Sequence, residues 1–271
     1  MNKLDSTGYD TDKGTNGYLG IYDERFRHLV DSEINLLELG IQRGGSLLMW
    51  RDYFRRAVIA GLDCDAVTVD DTTGRVHVYR GFQQDTAILD KIRVETAADG
   101  FDIIIDDASH LAGPSRASFW HLFENHLKPG GVYVIEDWAV GYWDNWPDGK
   151  KYYLNLPRDY RVDKKSLADR GLDFIYYVSV YRMGTNFVSG ILKKVSGDAI
   201  EKRRKRKFRS HEYGMVGLVK QLIDELGMAN ITTPGWGTVD GWRTSKFKSM
   251  EIFPNLVFIR KDDAAFFKAI Q

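Results

Sequence analysis

From Ile34 to Asp137 the chain alternates short apolar runs with amphipathic stretches, and this rhythm restricts its fold more than any other feature. INLLELG (34–40), AVIAGLD (57–63), RVHVYRG (75–81), FDIIIDD (101–107) and VYVIED (132–137) read as strands. GSLLMWRDYF (45–54), QDTAILDKI (84–92) and SRASFWHLFENHL (115–127) read as helices, the last followed by a KPGG turn at 128–131. Strands that regularly alternate with helices predict a mostly parallel sheet with helices on both faces. Upstream, Tyr18, Tyr22, Phe26 and Val30 recur at four-residue spacing and predict a helix that packs through one apolar stripe.

Beyond Asp137 the rhythm breaks. Within 138–210, DFIYYVSVYRM (173–183) and NFVSGILKKV (186–195) read as a hairpin, and KRRKRKFR (202–209) as a solvated basic face. Residues 212–227 read as an amphipathic helix ending at Gly227, and KSMEIF (248–253) with LVFIRK (256–261) as a second hairpin around Pro254-Asn255. That second hairpin is expected to complete the main sheet, because a helix directly precedes it. The expected organisation is one domain over 1–271, with an N-terminal helical segment at 1–30 and an insertion at 138–210 that is a candidate acceptor lid.

Composition narrows the classes of partner. Lys+Arg and Asp+Glu both number 38, so no global field selects nucleic acid or an anionic membrane. Cys64 is the single cysteine, which excludes an internal disulfide. The first residues lack the apolar stretch of a signal peptide, and no run approaches a transmembrane length. A soluble, cytoplasmic protein is the expectation, with a homo-oligomer left open.

In an open α/β sheet, ligands sit at the carboxyl ends of the strands, near the switch in strand order. The first strand runs into Glu38-Leu39-Gly40-Ile41-Gln42-Arg43-Gly44-Gly45-Ser46, whose glycines let the backbone turn tightly near a ligand at the next helix's amino end. Asp63 closes the second strand, where a carboxylate either accepts both hydroxyl protons of a ribose or serves a turn. With the glycine turn, it favours an adenosine ligand. Gln83 and Asp85 follow the third strand, in position to meet an adenine edge, and Asp106 closes the fourth. The glycine spacing is not that of a dinucleotide fold, and neither a pyrophosphate cradle nor hydride-handling residues are evident.

The sharpest constellation is Asp106-Asp107-Ala108-Ser109-His110 after the fourth strand, paired with Glu136-Asp137 after the fifth. Neighbouring parallel strands lie about 4.8 Å apart, so adjacency brings carboxylates and an imidazole to one rim. Packed carboxylates require a positive charge between them, and a hard divalent cation, Mg²⁺ or Ca²⁺, suits oxygen ligands. His110 is placed to act there as a base rather than a ligand. Tyr142, Trp143 and Trp146 read either as an apolar wall for a sugar ring or as loop aromatics that close a small core.

A terminal helix followed by an antiparallel hairpin resembles the ending of class I S-adenosylmethionine (SAM)-dependent methyltransferases, whose seven-stranded, mostly parallel Rossmann-like sheet is completed that way. More specifically, the chain resembles the metal-dependent sugar O-methyltransferases of macrolide antibiotic biosynthesis. The resemblance is carried by TDKGT (11–15) with Tyr18, Tyr22 and Phe26, LLELGIQRGGSLLMWRDYF (36–54), FDIIIDDASH (101–110), SFWHLF (118–123), LKPGGVYVIEDW (127–138), Tyr142-Trp143 and FPNLVFIRK (253–261). The resemblance implies that the adenosine ligand is SAM, for which Glu38, Gly40, Gly44, Ser46, Asp63, Gln83, Asp85 and Asp106 at the strand ends are the candidate binding residues. It further implies Mg²⁺ held by Asp107, Glu136 and Asp137, His110 as general base, and a small glycoside acceptor. The family usually has glycine at the position of Ala108 and aspartate at that of Phe82, and 144–210 has no counterpart. Two other readings stand beside methyl transfer. Cephalosporin hydroxylase-type proteins share the DD..SH and ED motifs, and a non-catalytic SAM-binding scaffold would use 138–210 to bind a partner.

Overall fold

The computed structural model describes residues 3–143, 145–149, 214–231 and 246–263. These residues belong to one compact unit, formed by 1–150 together with 212–271. The predicted hairpin of 173–195 and the basic run 202–209 lie outside the described residues.

The elements follow in the order α1 (Leu19–Phe26), a 3₁₀ turn (Arg27–Leu29), β1 (Asn35–Leu39), α2 (Gly45–Tyr53), β2 (Val58–Asp63), β3 (Val76–Arg80), α3 (Thr86–Thr96), β4 (Phe101–Asp106), α4 (Ala112–Asn125) and β5 (Leu127–Glu136). A second 3₁₀ turn (Trp138–Tyr142), α5 (Gly214–Ile231), β6 (Phe247–Ile252) and β7 (Leu256–Lys261) complete the described set. The strands form one seven-stranded sheet of order β3-β2-β1-β4-β5-β7-β6. β1 to β5 are parallel, and the terminal hairpin joins β5 antiparallel through β7. The chain winds outward from β1 to β3, then crosses back to β4. The switch in strand order therefore falls between β1 and β4.

Period-two alternation divides the sheet into two buried faces. Leu37, Leu39, Ala60, Leu62, Ile104, Tyr133, Ile135, Val257 and Ile259 face one core, covered by α3, α4 and α5 through Leu89, Ile92, Phe119, Leu122, Phe123 and Leu218. Leu36, Ile59, Ile103, Ile105, Val132, Val134, Leu256 and Phe258 face the other, covered by α1 and α2 through Tyr22, Phe26, Leu47, Trp50 and Phe54. Tyr18, Tyr22, Phe26 and Val30 are all buried on this second face, as their spacing predicts.

Element boundaries differ from the sequence expectation at four places. KPGG lies inside β5 as an irregularity between the Phe101–Leu127 and Ile103–Val132 pairs, not as a turn ahead of it, with Gly130 at φ +76°. α3 runs to Thr96, because nothing in RVET interrupts it before Ala97. α4 starts at Ala112, since Pro114 sits in a first turn whose N–H groups lack helical partners and Asp148 Oδ2 accepts from Ala112 N at 2.8 Å. α5 continues past Gly227, which lies in open space and costs the helix only about 1 kcal/mol. Among the described residues, no helix is long and apolar enough to cross a membrane.

Candidate active site

The alternation that sorts the core also sorts the acidic residues at the carboxyl rim. Glu38 shares the face of Leu36, Glu136 that of Val134, and Asp107 continues the Ile103–Ile105 side of β4. All three point toward α1 and α2. Asp106 points the opposite way, although it is adjacent to Asp107.

Lys13 occupies the space among the first three. Its buried Nζ lies 2.7 Å from Asp107 Oδ2, 2.7 Å from Glu136 Oε1 and 3.1 Å from Glu38 Oε1. Tyr22 OH donates to Glu136 Oε1 at 2.5 Å, Ser46 Oγ to Glu38 Oε2 at 2.7 Å, and Tyr18 OH to Asp137 Oδ1. Burial works against the Lys13 charge, but Asp107, Glu136 and Glu38 outweigh it and hold the ammonium well above the usual lysine range. Burial, then the Asp107 carboxylate, pushes Glu136 well above the carboxylate range despite Lys13, and burial also raises Glu38. Burial and the neighbouring carboxylates keep Tyr22 protonated, as a donor.

In this arrangement a lysine ammonium neutralises part of the charge of the acids expected to hold a divalent cation. It also divides the predicted ligands. Glu38, Asp107 and Glu136 converge around Lys13, whereas Asp107, His110 and Asp137 offer a second set of donor atoms within 4.8 Å of one another. Asp107 belongs to both. His110 Nε2 stands 3.7 Å from Asp107 Oδ1. In the sequence, Tyr18 and Tyr22 stand out only as a helical stripe, and Lys13 only as part of TDKGT with no role of its own. The available signal was the surplus of acids on one face of the sheet.

Three non-glycine residues in the described set have positive φ: Gln42 (45°), His110 (50°) and Asp137 (52°). They follow β1, β4 and β5, which are adjacent at this rim. Such conformations cost about 1–3 kcal/mol each and concentrate at functional sites. Here they turn the imidazole of His110 and the carboxylate of Asp137 toward Asp107.

The glycines of the turn after β1 lie against the protein's own atoms. A Cβ on Gly40, at φ +80°, would stand 2.2 Å from Asp107 O, and one on Gly45 2.1 Å from Asp10 O. Both make room for protein backbone, whereas Gly44 at φ +82° makes room for the side chain of Val69. Asp63 Oδ2 accepts from Ile41 N and Gln42 N, both at 2.9 Å, and so fastens the turn after β1.

Gln83 is buried, donating to Asp106 Oδ1 at 2.9 Å and accepting from Ser109 N at 3.0 Å. Burial pushes the Asp106 carboxyl up to about 6. Asp85 caps α3 by accepting from Ala87 N at 3.0 Å. Of the predicted aromatics, Trp146 donates from Nε1 to His110 O at 2.9 Å, with ring centroids 6.0 Å apart. Trp143 is exposed and packs edge-on against Trp146, while Tyr142 packs on Trp138.

No protein-family model matches this sequence. Mycinamicin VI 2''-O-methyltransferase of Micromonospora griseorubida is 41% identical over 130 residues, covering 45% of this chain and 31% of that protein. Demethylmacrocin O-methyltransferase of Streptomyces fradiae is 39% identical over 129 residues, covering 45% and 32%. L-olivosyl-oleandolide 3-O-methyltransferase of Streptomyces antibioticus is 35% identical over 155 residues, covering 53% and 39%. The matched stretch thus spans between about a third and two fifths of these relatives. Among solved structures, the MycE methyltransferase of the mycinamycin biosynthetic pathway, in complex with Mg, S-adenosylhomocysteine (SAH) and mycinamycin VI, superposes with a TM-score of 0.60 at 25% identity. That match covers 90% of this chain and 48% of that one. The chain resembles the macrolide sugar O-methyltransferases, and its sheet has the Rossmann-like class I methyltransferase fold.

Proposed function

We propose that this chain transfers the methyl group of SAM to a hydroxyl of a sugar or glycoside, assisted by a divalent cation and by His110 as general base. The observation that carries the reading is the convergence of Asp107, His110 and Asp137 at the carboxyl rim of the sheet beside its switch point, with His110 and Asp137 both in strained backbone conformations. The donor set fits a hard cation: Asp107 and Asp137 supply carboxylate oxygens, and Glu136 stands behind them as the third proposed ligand. When bound, SAM supplies an electrophilic methyl group and Mg²⁺ stabilises negative charge on the acceptor oxygen.

The chain's own residues do the rest. His110 takes the acceptor's proton, and an imidazole is suited to this near neutral pH. Asp107 Oδ1, at 3.7 Å, offsets the imidazolium charge that results. The Trp146 hydrogen bond to the His110 carbonyl holds that backbone in place, and Tyr142, Trp143 and Trp146 form an apolar wall for the sugar. The turn from Gly40 to Ser46 would hold the cofactor, and Asp63 would meet its ribose. Gly81 N donates to Asp63 O at 2.8 Å, and the exposed ring of Phe82 next to it would offer adenine a face to stack on. Glu38, Ser46, Gln83 and Asp106 support this surface from beneath and Asp85 secures α3, since their side chains already have partners.

Release of SAH from SAM in the presence of deoxysugar glycosides tests the proposal. Activity is expected to fall on chelation and return with Mg²⁺. His110→Ala is expected to lower kcat about 10²–10⁴-fold while calorimetry shows SAM binding retained. Turnover indifferent to chelation would remove the metal from the mechanism, and turnover retained in the variant would remove the base.

A further inference from the structure

Between α3 and α4, on the face of the sheet opposite the carboxylate cluster, three other side chains converge on one point. His121 lies on α4 one turn before its end, His126 is that helix's C-cap, and Asp90 lies on α3. His121 Nε2 is 2.6 Å and His126 Nε2 2.5 Å from the same oxygen, Asp90 Oδ1. The two rings meet edge to face, with centroids 5.0 Å apart at 79°. Their side chains are 19% and 12% exposed, and that of Asp90 is 53% exposed.

We propose that Asp90, His121 and His126 form a transition-metal site, with Zn²⁺ as the preferred ion. Two imidazole nitrogens and one carboxylate oxygen are a borderline donor set, which suits Zn²⁺ and its surrogate Co²⁺ and not the all-oxygen preference of Mg²⁺. All three donor atoms lie within 4.8 Å of one another. In a tetrahedral zinc site with bonds of about 2.0–2.1 Å, ligand atoms stand about 3.3 Å apart. Asp90 is half-exposed and reaches that spacing by rotating its side chain away from the rings. A fourth position faces solvent for water. His126 Nδ1 is buried without a hydrogen bond, so Nε2 is that ring's one polar anchor and points into the site. The carbonyl of His126 also accepts from Phe101 N at 2.8 Å, so an ion here ties α3 and the end of α4 to the start of β4. This role is structural and does not depend on the proposed reaction.

The test uses the full chain, stripped of metal by chelation and kept in excess Mg²⁺ to occupy the carboxylate cluster. Addition of Co²⁺ is expected to produce the visible absorption of a tetrahedral ion, saturating at one equivalent. Calorimetric Zn²⁺ affinity is expected to weaken at least about tenfold in both His121→Gln and Asp90→Asn. Zn²⁺ is expected to raise the melting temperature of the unaltered chain and not that of folded His121→Gln, with folding checked by circular dichroism. A wild-type chain that shows no tetrahedral Co²⁺ spectrum, or Zn²⁺ affinity unchanged in both variants, overturns the proposal.

Discussion

Lys13→Met removes the ammonium from among three carboxylates while keeping the length and apolar stem of the side chain. In the native arrangement Nζ makes contacts of 2.7, 2.7 and 3.1 Å to Asp107, Glu136 and Glu38, with Lys13, Glu38 and Glu136 all buried. Deleting one member of a buried charge network leaves the others uncompensated and costs about 3–5 kcal/mol. For a domain of this size that corresponds to a fall in melting temperature of about 6–20 °C. The pH dependence follows from the direction of the carboxyl shifts. Glu136 and Glu38 have folded pKa values raised above 4.5, principally by burial. Their protonated forms are therefore stable inside, and stability is lost as pH rises through the folded values. Without Lys13 that loss deepens, so the deficit of the variant is expected to be larger at pH 8 than at pH 5. Urea denaturation of both proteins in chelator at the two pH values measures it. The cycle with Glu136→Gln should show coupling of at least about 1 kcal/mol. A deficit below about 1 kcal/mol, the value of an exposed pair, or one independent of pH, refutes the reasoning.

Gly40→Ala places a methyl group 2.2 Å from Asp107 O at a φ of +80°. A destabilisation of about 2–5 kcal/mol in urea unfolding is expected, from the left-handed backbone and the forced shift together, with Mg²⁺ affinity falling as Asp107 moves. Asp71 accepts from Thr73 N and Oγ1, Arg75 N, Val76 N and Arg51 in the connection between β2 and β3. Burial opposes its charge, but these donors outweigh that and hold its carboxyl well below 3.8. Its stabilisation is therefore present above the unfolded value and lost as pH falls toward the folded one. Asp71→Asn is expected to cost about 1–3 kcal/mol at pH 7, with the gap to wild type closing below about pH 4 in thermal melts at a series of pH values.

Strand and helix alternation, the helical stripe of Tyr18, Tyr22 and Phe26, and the closing hairpin were legible in the sequence because each depends on a local period. The seven-stranded sheet followed from them. Boundaries were less legible where a distant group decides them, as at Ala112, whose N–H is taken by Asp148 from beyond β5.

The acids of the rim were also legible, since DDASH and ED end two apolar runs. How they divide was not. Asp106 and Asp107 are adjacent, yet pleating sends one into the Gln83 network and the other to Lys13. Alternation alone predicts that opposition, but only the strand order β1-β4-β5 brings Glu38, Asp107 and Glu136 onto one face at one level. Only the tertiary structure then fills the space among them, from a segment 94 residues away from Asp107. A charge buried beside like charges needs its counter-charge within a few ångströms, and no local pattern in the chain says which residue will supply it.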